Sequence, residues 1–223
     1  WTDSLVNNPA ASRPANRNVP GDGKFDQSVT PSLPEVVVSR VDFSNLSGWN
    51  ESQTELYRRY LNKNHAFRTG AYKPDNKTLV DDNFGYFNGE AFAQSGWRNG
   101  AAISGPANVQ DGDFFNDTDN QSFLFGYGCG AGSYTSAAGV GSSDNFKTDS
   151  VNIVFSMLFG SYHGDWDYES NPLMPSALAS KGGILTCVWA GRPNWHFHHM
   201  ALGEPIWVSA YWEWLNSFLT YRV

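Results

Sequence analysis

Two apolar runs along the chain each break off in a cluster of small residues. The first runs from Phe123 to Tyr127 and gives way to Gly128, Cys129, Gly130, Ala131, Gly132 and Ser133; the second runs from Val151 to Phe159 and gives way to Gly160, Ser161, Tyr162, His163 and Gly164. Continuous apolar stretches of this length, bounded by turn formers, read as buried strands. Ligands in open α/β sheets collect at the carboxyl ends of such strands. The chemistry of the chain is therefore expected between Cys129 and Trp166.

The pattern around these runs predicts alternating strands and helices. Residues 1–33 are rich in Asn, Pro, Asp and Gly and show no periodicity. Glu35–Phe43 reads as a β-branched strand. Asn50 is the expected cap of a helix that carries Leu56, Tyr57, Tyr60 and Leu61 at helical spacing, with Glu51 and Glu55 near its start and Arg58, Arg59 and Lys63 toward its end. A short strand is expected at Lys77–Asn83, a partly helical stretch at Phe84–Trp97 and another short strand at Ala101–Ile103. Asp111–Asn120 reads as a solvated acidic loop or helix start. After the two main strands come a short helix within Asn171–Ser180, a strand Ile184–Ala190 and a helical tail Val208–Tyr221. Such alternation predicts an α/β fold with a mainly parallel central sheet flanked by helices. The expected organisation is an irregular segment, 1–33, followed by a single α/β domain, 34–223.

Composition narrows the partners. The chain has 22 acidic and 15 basic side chains, for a net charge of -7, and no Lys/Arg cluster, which argues against nucleic acid and anionic membrane surfaces. Its longest apolar runs are too short to span a bilayer. Nine Trp suit both a packed core and carbohydrate or peptide clefts. The two cysteines, Cys129 and Cys187, read as strand residues of an interior, and no bridge between them is expected. The start at Trp1, without Met or signal peptide, suggests a processed, trimmed or incomplete product.

The order of segments resembles the gingipain family of cysteine peptidases, which share the caspase fold. The resemblance rests on Pro34-Glu-Val-Val-Val-Ser-Arg40, the helix after it, the short Leu79-Val-Asp-Asp82 strand, and two motifs in order: Gly130-Ala-Gly-Ser133 and Ser161-Tyr-His-Gly-Asp-Trp166. It covers about Pro34 to Ala190. In that family the first motif reads Gly-His-Gly-Ser, with His as general base, and the second Cys-x-x-Gly-Asp-Phe, with Cys as nucleophile. The resemblance implies a caspase-like fold, lacking here its N-terminal part, and a secreted or cell-envelope location in a bacterium. It also implies a lost active site, because Ala131 stands at the base position and Ser161 at the nucleophile position. A serine hydroxyl without a base is nearly inert at neutral pH.

Three functional readings remain open. In the first, the chain is a catalytically degenerate relative of these peptidases, kept as a binding or structural module with a peptide or protein ligand. In the second it is a thiol-dependent hydrolase of peptide or related acyl bonds with a transposed dyad. Cys129 lies two residues before Ala131 and His163 two residues after Ser161, so the thiol would attack, the imidazole would act as base, and backbone N–H groups of Gly130, Ala131 and Gly132 would hold the oxyanion. Asp165 and Trp166 would line the substrate side. In the third, Asp165, Asp167 and Glu169 around Trp166 serve a glycoside hydrolase, although their spacing is tight for an acid/base pair across a sugar. His196 and His198, two apart, could ligate one metal, but no third ligand accompanies them. Asn18–Asp26 places oxygen ligands around two glycines without the spacing of a calcium loop. No metal and no cofactor are expected. Oligomeric state is not encoded in any of these patterns.

Overall fold

The computed structural model describes residues 21, 39–87, 89–189, 196–209 and 211. Arg40–Gly203 forms one compact unit, and Glu204 onward belongs to a second one together with the residues before Arg40. The first unit is an α/β fold around a five-stranded, all-parallel sheet. The strands are β1 (Thr78–Asp82), β2 (Val109–Asp111), β3 (Phe123–Cys129), β4 (Ile153–Phe159) and β5 (Thr186–Trp189). Their order across the sheet is β5-β4-β3-β1-β2. This is a doubly wound order, in which the chain turns back across β1 between β2 and β3. It is consistent with the caspase-like α/β architecture expected from the sequence.

Helices cover both faces. On one side α2 (Gln94–Ser104) lies against β1 and β3 through Gly96 and Gly100, one turn apart. A Cβ built at Gly96 would sit 2.6 Å from the Tyr127 ring, and one at Gly100 would sit 2.9 Å from Cβ of Thr78, so only glycine lets the helix approach this closely. On the other side α1 (Gln53–Arg68), α3 (Ser143–Thr148) and α4 (Leu173–Ala179) close over a core of Leu79, Phe114, Phe146, Ile153, Leu158 and Leu173. Alternation along β1 sorts the two faces: Thr78 and Val80 face α2, and Leu79 faces the larger core. Arg59 and Lys63 of α1 donate to the carbonyls of Ala179 and of Leu178 and Ser180, which satisfies the carboxyl end of α4.

Several local expectations are corrected. The cap of α1 is Ser52, not Asn50, because Ser52 and Glu55 satisfy each other's backbone N–H groups in a capping box. Leu61 lies on the solvent side of that helix. Ser39–Phe43, the described part of the expected strand Glu35–Phe43, joins no sheet; Phe43 packs instead against Tyr57 at 4.9 Å between ring centroids. Ala101–Ile103 is helical, within α2. The stretch Phe84–Trp97 is helical in part, as expected: it opens as a short antiparallel pair, Tyr86–Phe87 with Glu90–Ala91, and α2 begins at Gln94. The acidic segment Asp111–Asn120 is only partly solvated, since it buries Phe114 and Phe115. Of the expected tail helix Val208–Tyr221, residues 208, 209 and 211 are helical and the remainder lies outside the described residues. Among the described residues no helix is long and apolar enough to cross a membrane.

Candidate functional site

The register brings the predicted residues to one end of the sheet. Tyr127 pairs with Met157 and Cys129 with Phe159, so β3 and β4 stop side by side. The Gly130 N–H still donates to the Phe159 carbonyl, at 3.1 Å, as the strands part. Beyond that bond the two bends touch through backbone: a Cβ built at Gly132 would overlap the Ser161 carbonyl oxygen and amide nitrogen and lie 2.6 Å from the Gly160 carbonyl carbon. Cys129, Ala131, Ser161 and His163 therefore share the carboxyl end of the sheet, with Ala131 and Ser161 open to solvent and Cys129 and His163 buried.

The side chains of Cys129 and His163 are committed elsewhere. Cys129 continues the alternation of Phe125 and Tyr127, and its thiol donates to Oδ1 of Asp82 at 3.2 Å. That same oxygen accepts the N–H groups of Phe84 and Gly85 at 3.1 and 2.9 Å. Burial, and then the hydrogen bond and charge of Asp82, push the Cys129 thiol up to about 12. His163 packs on Gly160, and its Nε2–H donates to the Ser136 carbonyl at 3.1 Å. A carbonyl only accepts, so this nitrogen carries the proton, and burial holds the imidazole below its ordinary pKa in the neutral form. Its Nδ1 has no hydrogen-bond partner.

Cys129 and His163 thus share a sheet end without sharing a hydrogen bond. A thiolate dyad needs an imidazole on the sulfur and a lowered thiol pKa; here a carboxylate is on the sulfur and the pKa is raised. The expected oxyanion donors lose Gly130, whose N–H is held by Phe159. Both cysteines are free thiols.

Asp81, next to Asp82, was not singled out by sequence. It is buried on the opposite face and accepts from the Phe114 N–H and the Asn83 amide. Burial foremost, with the charges of Asp113 and Asp111 adding to it, raises its carboxyl to about 6 against the hydrogen bonds that favour the ion. A carboxyl raised from 3.8 to about 6 contributes stability that is fully present below about pH 4 and is lost as the pH rises through 6. Asp81→Asn is expected to remove that slope, a change on the order of 2 kcal/mol between pH 4 and 7. Urea denaturation of both proteins across this range checks it, and parallel pH profiles would contradict it.

The remaining candidates lie on the loop after β4. Asp165, Trp166, Asp167 and Glu169 are exposed. The segment is a series of tight turns rather than an extended strand, with N–H groups of Asp165, Trp166 and Tyr168 donating to the carbonyls of Tyr162, Gly164 and Asp165. Asp165 and Asp167 therefore do not line one face as an alternating pair, and all three carboxyls stand exposed. The Arg40 guanidinium lies 3.8 Å over the Trp166 ring. Among the described residues no group of three or more His, Cys, Asp or Glu could hold a metal ion; His196 and His198 stand 6.1 Å apart between ring centroids. Asn18–Asp26, except Gly21, lies outside the described residues.

Comparison of the chain with family models, with curated proteins and with solved structures finds no match.

Proposed function

We propose that the chain is a catalytically degenerate, gingipain-like member of the caspase-type folds that serves as a binding module of a secreted or envelope protein. The observation that carries this reading is the sealed thiol: Cys129 is fully buried and donates to Asp82, away from His163. The positions that the gingipain resemblance gives to base and nucleophile hold Ala131 and Ser161, and neither can supply a thiolate or take a proton. What the sheet end offers instead is an exposed surface built on two bends locked together through backbone.

The test is a screen for hydrolysis of fluorogenic peptides and thioesters, run with the parent chain and Cys129→Ser. Neither is expected to turn over substrate. Hydrolysis by the parent that disappears in Cys129→Ser would overturn the reading in favour of the transposed dyad. Ser161→Cys supplies a contrast, since a thiol at this exposed position should be alkylated at neutral pH whereas Cys129 should not.

A further inference from the structure

Three tyrosines cluster where the loops after β3 and β4 meet. The Tyr134 and Tyr168 rings are parallel within 6° at a centroid separation of 4.3 Å, and Tyr162 leans on Tyr134 at 5.0 Å and 45°. Tyr134 is 37% and Tyr162 54% exposed. This is a joined aromatic surface left open to solvent, and isolated exposed apolar residues would not need explaining where such a patch does.

The surface is also rigidly presented. Tyr162 holds φ at 68°, a conformation that non-glycine side chains rarely adopt. The turn is kept there by three bonds: Asp165 N–H to the Tyr162 carbonyl at 3.1 Å, the Trp189 indole N–H to the Gly160 carbonyl at 2.8 Å, and His163 Nε2–H to Ser136. Gly164 seats against the Trp189 ring, with room for no side chain. Strain maintained by its surroundings concentrates at ligand clamps, because it fixes the contact before the ligand arrives.

The rim decides the ligand. Asp165, Asp167 and Glu169 take part in none of the ion pairs of the described residues, and no Lys or Arg occurs between Lys147 and Lys181. Arg40, which lies over Trp166, is itself paired with Asp42, so the loop keeps an acidic rim that disfavours anions, nucleic acid among them. A cationic ligand would need rings standing apart around it. Here two rings are closed face to face, and the Trp166 ring already carries Arg40. Flat aromatic faces beside carboxylate acceptors suit an uncharged ring with one C–H face and several hydroxyl donors.

We propose that Tyr134, Tyr162 and Tyr168, beside Asp165 and Asp167, form a binding platform for a neutral oligosaccharide. The inference rests on the binding-module reading and gives that module its ligand class.

The experiment is calorimetric titration of the whole chain with cellohexaose, mannohexaose and chitohexaose, and with hexagalacturonate as the anionic comparison. At least one neutral hexasaccharide should bind, and hexagalacturonate should not. Tyr162→Gly, which removes the ring and relieves the positive φ, should weaken binding at least about ten-fold while raising Tm; loss of binding without loss of fold separates a ligand contact from a structural one. Tyr134→Ala should weaken binding as well. Absence of binding by all three neutral sugars at millimolar concentration, or affinity unchanged in Tyr162→Gly, would overturn the proposal. A neutral peptide that binds these tyrosines where no sugar does would overturn the carbohydrate assignment and leave a binding module standing. Cys129-dependent peptide hydrolysis would overturn the module reading instead.

Discussion

In the folded protein Cys129 is expected to resist iodoacetamide at neutral pH, with labelling appearing only as the chain unfolds. Alkylation runs through the thiolate, and a thiol raised from 9.0 to about 12 carries about a thousand-fold less of it at any pH well below both values. Burial adds a steric barrier to the chemical one, because the sulfur is sealed beneath the end of β1. The variants divide the causes. Asp82→Ala removes the acceptor and its charge, so the thiol pKa should fall and labelling should quicken by about ten-fold, while the remaining burial keeps Cys129 slower than a free thiol. His163→Ala should leave the labelling rate of Cys129 unchanged, since the imidazole is bonded to Ser136. Peptide mass analysis of labelled protein across a pH series reads all three. Rapid labelling of the parent near neutral pH, slowed by His163→Ala, would restore the dyad and end the degenerate-relative reading.

The place of Asp82 and Cys129 in the topology gives this bond a wider meaning. β1 is flanked by β2 on one side and β3 on the other, so the two residues face each other where the strand order reverses. That crevice is where ligands of doubly wound sheets usually lie. In this chain it is occupied by the protein itself. A Cβ built at Gly139 would overlap the Asn83 side chain, and one at Gly130 would overlap the Ala138 carbonyl, so residues 138–139 fold back over the strand ends. The exposed surface is displaced outward, onto the bends after β3 and β4, where the tyrosines stand.

How much of this could be read in advance follows from which residues do the packing. β3 and β4 were legible because both faces of a central parallel strand are buried, which writes a continuous apolar run into the sequence. Most of α2 beyond Trp97 was not, because its buried face is Ser95, Gly96, Asn99, Gly100 and Ser104, small or polar residues that leave no hydrophobic period. Ser104 satisfies its hydroxyl against Thr78 at 2.9 Å, an arrangement that depends on a contact 26 residues away. The common location of Cys129, Ala131, Ser161 and His163 was likewise legible, since parallel neighbours end at the same edge. The partner of the Cys129 thiol was not. It depends on the register of β1 with β3, which pairs Asp82 with Cys129, and no local pattern carries that register. The tyrosine platform joins residues from separate loops and became visible only once the bends were side by side.

Those bends set the second large expectation. Gly132→Val should destabilise the chain by about 3 kcal/mol or more, read as a fall in the urea midpoint with the slope unchanged. The argument is steric. The atoms a Cβ would meet at Gly132 are the Ser161 carbonyl oxygen and amide nitrogen and the Gly160 carbonyl carbon, all backbone. A side chain could rotate away, but these atoms are anchored by the β4 register and by the Trp189 indole on the Gly160 carbonyl. Relief requires the two bends to separate, which would also pull His163 from Ser136 and loosen the turn that holds Tyr162. Ala131→Val, one residue earlier and facing solvent, should stay within about 0.5 kcal/mol of the parent and serves as the control. The optical signature should follow, because Tyr134, Tyr162 and Tyr168 lose their fixed contacts and near-ultraviolet dichroism should drop in Gly132→Val even where far-ultraviolet dichroism persists. A Gly132→Val protein as stable as the parent would mean that the bends after β3 and β4 do not touch, and the site built on their contact would fall with it.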